Sequence, residues 1–560
     1  MSRLSGEPST PGCVISRAMS SKEGGGLYEK VLEGLGKGAS LPELRPPRAS
    51  ASIVLWRRNP ERGLEVFWIK RAEMLAFMGG WYAFPGGGIA RTDGQIEVEG
   101  LPRGIDGAPP DAALPEAVTQ GVDDLGPILA PGLVAGALRE LFEETGLLVA
   151  AGLDGGEMAA DTSAILARAQ GALLEKTTDF QSILTEHGWR LDASSLVYAG
   201  RWLTPPLGPV RFDNRFFLLE WPSDRGQQPV IHPGEAELGE WVRPGDGLRR
   251  WQNGEIVTAP PILHILEVLG EGGVDEGLEK LRRPEEINLG PFRRVEFRPG
   301  VVLFPLATPT LPPALFTNAY VVGSGDAVLI DPGSPFERDI SWLERGLEAL
   351  REQHGRRVTA IWLTHHHPDH VGGVEALRRA LEVPVLAHAA TAERLAATGI
   401  AVDGELVDGE RVVLAGGPPF PMRVIHTPGH ARGHLCFLDE TFGSLIAGDM
   451  VAGAGTIVID PPEGNMEDYL SSLDKLFDLA PQALFPAHGP TIKNARAKLE
   501  DYRRHRRWRE ERVLEAWSEG LREPVQMLER VYDDVPAIAH PLAERQIVAH
   551  LERLRYLGRL

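Results

Sequence analysis

The stretch Thr364-His365-His366-His367-Pro368-Asp369-His370 contains four of the sixteen histidines of this 560-residue chain. It follows the apolar run Ala360-Ile361-Trp362-Leu363, a pattern that predicts a strand ending at the histidines. In an extended segment the first and third histidines point to the same side, and a turn at the proline lets the aspartate and the last histidine face back toward them. Imidazole and carboxylate groups are ligands that zinc accepts. The stretch therefore predicts that four metal ligands converge from seven consecutive residues.

Further imidazole and carboxylate groups follow other apolar runs, and these are Asp331 after Val328-Leu329-Ile330, His430 in Thr427-Pro428-Gly429-His430, Asp449 after Leu445-Ile446-Ala447-Gly448, and His488 in Pro486-Ala487-His488-Gly489. Strand ends in layered α/β folds are where ligands bind. Predicted strands at 327–330 and 359–363 alternate with predicted helices at 340–352 and 373–381, which favours an α/β fold. The ligands outnumber what one tetrahedral ion uses, so the pattern predicts two metal ions.

In order and in type, these motifs resemble those of the metallo-β-lactamase superfamily over residues 292–490, which implies an αββα sandwich. The resemblance implies one zinc ion held by His365, His367 and His430 and a second held by Asp369, His370 and His488, with Asp449 bridging. Asp331 would orient the ligands, and Asp369 and Asp331 are the predicted catalytic residues. Hydrolysis would use a hydroxide shared by two metals about 3.5–4 Å apart, without a serine or cysteine nucleophile.

Other residues near these motifs have different predictions. His366 lies between two ligands and is expected to face away from them. His426 and His434 have two interpretations, as structural residues or as residues that contact substrate. Cys436 lies within the apolar run Leu435-Cys436-Phe437 and is predicted to be a core residue.

A second cluster of metal-ligand types lies near the N-terminus, on a helix predicted over residues 137–147 and closed by Gly146. Glu140, Glu143 and Glu144 share one face of this helix, and carboxylates at that spacing repel by about 0.2–0.5 kcal/mol per pair. Such a face either lies in solvent or binds a cation. Magnesium and manganese prefer oxygen ligands and would suit it.

Together with the turn Phe84-Pro85-Gly86-Gly87-Gly88, this helix resembles the Nudix box, interrupted here by an insertion at residues 91–131. A split box of this kind resembles the subgroup associated with coenzyme A diphosphohydrolases. The resemblance implies an α/β/α sandwich in which the three glutamates bind magnesium or manganese, Glu143 and Glu144 are catalytic, and Arg139 braces the loop. The sequence departs from the box at Pro131, which stands where the first glutamate is expected. The alternative is a degenerate domain kept for binding.

Past Pro490 the chain is predicted to be helical and basic, with helices over 495–517 and 542–554. The basic residues are Arg496, Lys498, Arg503, Arg504, Arg506, Arg507, Arg509 and Arg512. This pattern predicts a small winged-helix-like module that resembles the one in endoribonuclease-like members of the same superfamily. Either the arginines contact single-stranded RNA, or they form a solvated helix face and the module packs beside the active site.

Composition limits the class of protein. No apolar run approaches the ~18 residues of a membrane-spanning helix, so no membrane partner is expected. With only Cys13 and Cys436, a disulfide framework is not expected, and a reducing cytoplasm fits. We predict a flexible tail at 1–47, a Nudix-like domain at 48–270, a linker at 271–291, a metallo-β-lactamase domain at 292–490 and the helical module at 491–560.

These features predict a cytoplasmic multidomain hydrolase with a binuclear zinc site. We favour acyl thioesters such as coenzyme A derivatives as the small-molecule substrate, because such a compound offers a carbonyl to the metal-bound hydroxide and a diphosphate to the Nudix-like domain. The alternative is an endoribonuclease or RNA-binding protein that uses the basic module. The net charge of −20 makes long RNA an awkward partner, although a local basic cluster could bind it.

Overall fold

The computed structural model describes residues 47–560, except 76–77, 105–130, 152, 154–159, 205–210, 224–225, 233, 283–293, 312–313, 315, 454 and 537–538. Almost all of the predicted tail at 1–47 and most of the predicted insertion at 91–131 lie outside the described residues. Among the helices that the structure describes, none is long and apolar enough to cross a membrane.

The N-terminal unit is built on a mixed sheet. Its strands are β1 (Arg48–Asn59), β2 (Gly63–Arg71), β3 (Tyr82–Ala83), β4 (Gly86–Gly88), β5 (Val98–Glu99), β6 (Leu191–Asp192), β7 (Val197–Leu203), β8 (Phe212–Glu220) and β9 (Ala236–Val242). The main sheet has the order β3-β2-β1-β8-β7, with β4 paired to β1 and β9 paired to β2, while β5 and β6 pair separately. The central strand β1 is antiparallel to β2 and parallel to β8.

Helices cover both faces of this sheet. They are α1 (Pro131–Thr145), α2 (Ala160–Leu174), α3 (Phe180–His187), α4 (Pro244–Gln252) and α5 (Pro260–Arg282). Because side chains alternate along a strand, Ile53 and Leu55 of β1 pack in the core that contains α1, whereas Val54 and Trp56 pack in the core that contains α5. The sheet is therefore buried on both faces, and the glycine turn at β4 lies beside α1.

The second unit contains two sheets. The strands of the first sheet are β10 (Val295–Arg298), β11 (Val301–Ala307), β12 (Phe316–Gly323), β13 (Asp326–Ile330), β14 (Arg357–Trp362), β15 (Val385–Ala387) and β16 (Gly404–Glu405). Those of the second are β17 (Arg411–Leu414), β18 (Phe420–His426), β19 (Leu435–Asp439), β20 (Ser444–Gly448) and β21 (Ala483–Pro486). In both sheets the strands are hydrogen-bonded in the order of the sequence. Val301 and Leu303 face the core between the sheets, and Val302 and Phe304 face an outer core.

The outer faces of the two sheets are covered by helices, so the layers run helix, sheet, sheet, helix. The helices are α6 (Glu337–His354), α7 (Pro368–Val371), α8 (Val374–Leu381), α9 (Ala389–Ala396) and α10 (Met466–Leu479). Leu343 and Leu347 of α6 pack on the first sheet, and Leu473 and Leu476 of α10 pack on the second. This mixed α/β architecture agrees with the fold class predicted for this half of the chain.

The C-terminal module consists of α11 (Ala495–Ser518), α12 (Pro524–Val531) and α13 (His540–Tyr556). Val513, Met527 and Ile547, one from each helix, meet in a small core of their own. Leu499 and Tyr502 at the start of α11 instead pack in the outer core beside α10. The module is therefore attached to the second sheet by its first helix.

Residues 271–282, which we predicted to be linker, are the second half of α5. The helix is interrupted at Gly273, whose φ is +69°, and then continues because Val274 and Leu281 bury their side chains in the N-terminal core. Two apolar residues seven positions apart lie on one helix face. The remainder of the predicted linker, 283–291, lies outside the described residues.

The two layered units share a core. Trp81 and Val257 of the N-terminal unit pack in the core between the two sheets of the second unit. The indole of Trp81 lies edge-on to Phe297, with ring centroids 5.2 Å apart, and the indole nitrogen of Trp251 donates to the Phe297 carbonyl at 3.1 Å. The Lys493 ammonium, close in sequence to His488, also donates to the carbonyl of Gly80 at 2.8 Å.

Candidate metal centre

Two pairs of parallel strands carry the predicted ligands to one edge of the sandwich. In the first sheet Ile330 pairs with Trp362, so Asp331 lies beside the histidine stretch that follows β14. In the second sheet Gly448 pairs with Pro486, which brings Asp449 next to His488. Parallel strands end at the same edge of a sheet. Asp369 and His488, which are 119 positions apart in the chain, therefore meet.

The structure gathers the seven predicted ligands into overlapping groups. One group contains His365, His367 and His430, a second contains Asp369, His370 and His488, and a third joins His365, His370 and Asp449. Within each group the ligand atoms lie within 4.8 Å of one another. The first two groups are the two ligand sets that the sequence predicts, and Asp449 lies between them.

Asp449 contacts both sets. Its Oδ2 lies 3.4 Å from Nε2 of His430, and its Oδ1 lies 3.3 Å from Nε2 of His488 and 3.7 Å from Nε2 of His370. Two of these atoms, His370 Nε2 and Asp449 Oδ1, are buried without a hydrogen-bond partner. A buried polar atom without a partner is costly unless something else satisfies it. The donor set therefore fits a divalent metal centre of nitrogen and oxygen ligands.

Asp331 supports this group from behind. Its carboxylate accepts hydrogen bonds from the Thr364 amide at 2.8 Å and the Thr364 hydroxyl at 2.6 Å, and it lies 2.8 Å from Nδ1 of His370. Its φ is +50°, a conformation that side-chain-bearing residues adopt at a cost. The carboxylate fixes the ring so that Nε2 faces the ligand group, which is how outer partners of metal-binding histidines act.

Two other ligands are oriented by backbone carbonyls. Nδ1 of His430 lies 2.7 Å from the carbonyl of Val458, and Nδ1 of His488 lies 3.2 Å from the carbonyl of Phe316. A carbonyl only accepts, so each Nδ1 carries the proton and each Nε2 presents a lone pair to the site.

At His365, His367 and Asp449 the electrostatics favour the forms that bind metal, whereas at His370 and His488 the neighbouring carboxylates outweigh burial and raise the pKa. Burial, together with neighbouring imidazoles, lowers the pKa of His365 and His367 well below the usual range. Burial alone would raise the pKa of Asp449, but the charges of His488 and His370 hold it well below its usual value. Neutral imidazole and ionised carboxylate are the species that coordinate a cation.

The structure separates the remaining histidines. His434 is fully buried; its Nε2 accepts from the Asp449 amide at 3.0 Å, and its Nδ1 lies 2.8 Å from the Thr427 hydroxyl, which makes it a structural support for Asp449. The His426 ring stacks on that of His388 at 4.3 Å. His366 is outside all three ligand groups, and burial lowers its pKa to about 4.

Thr364 and His434 both contact the ligand group. No role was predicted for Thr364, whereas a structural role was one of the two predicted for His434. Thr364 carries a signal, since a polar residue at a fully buried strand end needs a partner. His434 carries none, because its contact with the Asp449 backbone depends on how β19 and β20 pair. Cys436 is fully buried, and this confirms the prediction of a core residue.

Comparison with known proteins places this geometry in a family. A model of the "Metallo-beta-lactamase superfamily" matches residues 312–488, and one of the "Beta-lactamase associated winged helix domain" matches residues 524–560. A Drosophila melanogaster relative named "Beta-lactamase-like protein 2 homolog" is 31% identical over 255 residues, which are 44% of this chain and 84% of the relative. The chain belongs to the metallo-beta-lactamase superfamily.

Two further similarities cover different shares of the chains compared. An Aspergillus fumigatus protein named "Atrochrysone carboxyl ACP thioesterase" is 32% identical over 211 residues, and the match spans 37% of this chain but only 61% of the relative. A solved NUDIX hydrolase from Alicyclobacillus acidocaldarius is 28% identical with a TM-score of 0.31, covering 42% of this chain and 95% of that one. A TM-score this low does not establish a shared fold.

The metallo-beta-lactamase unit is preceded by the predicted acidic helix, which the structure confirms as α1, closed by Gly146 with φ +70°. The glycine turn packs on its glutamates: the Gly86 amide donates to Glu144 at 2.8 Å, and a Cβ on Gly87 would lie 2.5 Å from the Glu140 carboxylate. Glu143 lies about one turn after Glu140 and directly precedes Glu144. The two halves of the interrupted motif therefore meet in space.

Arg139 lies at the centre of this cluster and makes the bracing contact predicted for it. It donates to the Gly88 carbonyl at 3.0 Å, and its guanidinium lies 3.0 Å from the carboxylates of both Glu140 and Glu143. Its buried partner is Asp93, at 2.8 Å. Asp93 lies near the start of the predicted insertion, so an acidic partner for Arg139 exists although Pro131 replaces the expected glutamate.

The acidic cluster differs from the metallo-beta-lactamase centre in one respect. Among the described residues, Glu140, Glu143 and Glu144 do not form a group with all ligand atoms within 4.8 Å. Burial raises the pKa of Glu140 to about 7 and that of Glu144 well above its usual value. The carboxylates are therefore costly to ionise as they stand.

The basic residues of α11 are divided between the interior and the surface: Arg496, Arg504 and Arg507 are exposed, so only part of the predicted basic face lies at the surface. Arg506 and Arg509 are 1% and 2% exposed. Arg503 pairs with Asp474 and lies over the Phe477 ring at 4.3 Å. Other ion pairs join Arg504 to Asp501, Arg507 to Asp474 and Arg512 to Asp533. A long arginine can bury its stem and satisfy its head against the fold, and sequence spacing does not reveal this.

Proposed function

We propose that this chain hydrolyses acyl thioesters of small carriers such as coenzyme A at a binuclear zinc centre. The observation that carries the proposal is the convergence of seven ligands on one edge of the sandwich, with His370 Nε2 and Asp449 Oδ1 buried and unpartnered. The thioester substrate class is supported by the relative whose name describes an ACP thioesterase.

In this proposal the ligand sets have separate tasks. His365, His367 and His430 would hold one ion, Asp369, His370 and His488 the other, and Asp449 would touch both. Two bound zinc ions lower the pKa of water enough to supply a nucleophile at neutral pH and polarise a carbonyl. Asp331 keeps the His370 ring in its orientation through its own hydrogen bonds to Thr364. His434 holds the Asp449 backbone in place.

RNA is the less favoured substrate. Binding a polyanion requires cationic groups that are free to neutralise phosphates. Arg506 and Arg509 are buried, and Arg503 is paired with Asp474. Arg504 and Arg507 keep side-chain exposures of 71% and 54%. Together with Arg496, the other exposed basic residue of α11, they would have to supply a local site on a protein of charge −20.

One experiment separates the two substrates. The full chain, loaded with zinc, is incubated with acetyl-coenzyme A and with a labelled single-stranded RNA, and compared with His367→Ala. We expect thiol release by the wild type and none by the variant. Arg504→Ala with Arg507→Ala is the matched control, which should keep thioester hydrolysis. RNA cleavage that needs both His367 and the two arginines, without thiol release, would overturn the proposal.

A second activity is proposed for the N-terminal unit: hydrolysis of a diphosphate compound, with coenzyme A the first to test, using magnesium or manganese held by Glu140, Glu143 and Glu144. A specific observation favours it. The glycine turn packs directly on Glu140 and Glu144, and a cation there would offset the cost of ionising carboxylates whose pKa burial raises.

The full chain is again the proper material, with coenzyme A and either cation. Glu144→Gln should abolish product formation while leaving the unfolding temperature close to that of the wild type. Glu186→Gln, on the exposed surface of α3, is the control and should leave product formation unchanged. If magnesium and manganese both fail to bind to the wild type, the cluster is an acidic structural element instead.

A further inference from the structure

Arg506 is a buried cation that the metal centre and the C-terminal core leave unexplained. It is 1% exposed, and none of the ion pairs among the described residues includes it. Placing a guanidinium in the interior without a carboxylate is expensive unless its donors are used by well-placed acceptors. Its acceptors therefore indicate what the residue is for.

The acceptors of Arg506 either belong to the loop Thr456–Ile459 or are hydrogen-bonded to it. Arg506 donates to the Thr456 hydroxyl at 3.2 Å and to the Ile457 carbonyl. It also donates to the side-chain oxygen of Gln546 at 2.9 Å, and the Gln546 amide donates to the Ile459 carbonyl at 3.3 Å. The residue between these anchored carbonyls is Val458.

Val458 is the residue whose carbonyl lies 2.7 Å from Nδ1 of His430. Arg506 also contacts Tyr469, which packs against the residue before His430: its guanidinium lies 5.2 Å from the centroid of the Tyr469 ring. The Tyr469 backbone packs so closely under Gly429 that a Cβ on this glycine would lie 2.3 Å from it. Both segments that determine the orientation of His430 are therefore in contact with residues that Arg506 holds.

We propose that Arg506 is a positioning residue for the ligand His430: it fixes the loop Thr456–Ile459 so that the Val458 carbonyl keeps the proton on Nδ1 and directs Nε2 to the metal group. In this role the C-terminal module is part of the metal centre. The inference rests on the proposed function only in taking His430 as a ligand, and it requires no particular substrate.

The test measures metal binding as well as activity. In Arg506→Met the side chain keeps much of its length and loses every donor. Partners of metal-binding histidines contribute about 10–100-fold to metal affinity, so zinc competition with a chromophoric chelator should show a loss of that size for one of two ions. The visible spectrum of the cobalt-substituted protein should change as well. Arg506→Lys should restore the affinity only in part, because an ammonium lacks the planar geometry of a guanidinium.

Arg509→Met is the matched control. Arg509 is equally buried on the same helix, but it binds the Val531 carbonyl and Asp534 within the module. We expect it to lower the unfolding temperature without changing metal affinity or the cobalt spectrum. Equal losses of affinity in the two variants, or unchanged affinity in Arg506→Met, would overturn the proposal.

If Arg506→Met does not fold, Gln546→Leu decides, because it breaks the link from Arg506 to the Ile459 carbonyl and leaves the contacts of Arg506 with Thr456 and Ile457 in place. It should weaken binding of one ion in the same direction, and unchanged zinc affinity would refute the inference. Failure of the proposed function gives a different result. If the wild-type protein binds two zinc ions but releases no thiol from acetyl-coenzyme A, the thioester proposal is wrong. The role of Arg506 is then still decided by the measurements of zinc affinity.

Discussion

Replacing Asp331 with asparagine should weaken metal binding while preserving the size of the side chain. The carboxylate accepts from the amide and hydroxyl of Thr364 at 2.8 and 2.6 Å and lies 2.8 Å from Nδ1 of His370. Asparagine offers one acceptor oxygen and one amino group, so one of these donors would face another donor. The imidazole of His370 would then lose the partner that fixes its tautomer.

The magnitude follows from these contacts. A buried donor left without an acceptor costs about 1–3 kcal/mol, and the free energy of unfolding should fall by about that amount. Loss of the carboxylate behind a metal-binding histidine lowers metal affinity by about 10–100-fold. We therefore expect one zinc ion to bind more weakly by about 1.4–2.7 kcal/mol, while the second ion is less affected.

Zinc affinity would be measured by competition with a chromophoric chelator, and stability by urea unfolding of the zinc-free protein. Asp326→Asn is the matched control, because this residue begins β13, the strand that Asp331 follows, and pairs with Arg357 at 3.0 Å near the surface. The control should change neither quantity by much, since exposed pairs contribute about 0–1 kcal/mol. Wild-type zinc affinity in Asp331→Asn would refute the reasoning.

Three other substitutions test the same structural arguments. Gly429→Ala should remove the zinc ion bound by His430, because the added Cβ would lie 2.3 Å from the Tyr469 backbone at a φ of +130°. Metal analysis would show the loss of this ion. Gly171→Ala is the control, because a methyl group there has open space. Gly87→Ala should abolish binding of magnesium by the N-terminal unit, as followed by calorimetry, since its Cβ would lie 2.5 Å from the Glu140 carboxylate. Burial raises the pKa of Glu140 from 4.5 to about 7 in the folded state, so ionising it costs the fold up to about 3 kcal/mol, and stability should fall as pH rises from about 5 to about 8. Glu140→Gln should show a smaller fall in thermal unfolding temperature over this range, and an equal fall in both proteins would contradict the assignment.

The ligands of the metal centre could be predicted because each one follows an apolar run, and strand ends meet at one edge of a layered fold. The tertiary partners of those ligands could not. The Val458 carbonyl near His430 is a backbone group without a side-chain signature. Arg506 belongs to a run of arginines that sequence spacing assigns to solvent, and only its contacts with Thr456 and Ile457 show that it is buried.

Contacts between the two layered units determine how each proposed activity can be assigned. Trp81 belongs to the N-terminal unit but packs in the core between the two sheets of the metallo-beta-lactamase unit, where it meets Phe297. Truncating a buried aromatic side chain costs about 3–5 kcal/mol, and separating the units would remove this contact and the hydrogen bond from Trp251 to Phe297 as well. Each fragment would then lose activity through unfolding, whichever site performed the reaction. Single substitutions in the full chain, such as His367→Ala and Glu144→Gln, keep the shared core and therefore identify which centre acts on which substrate.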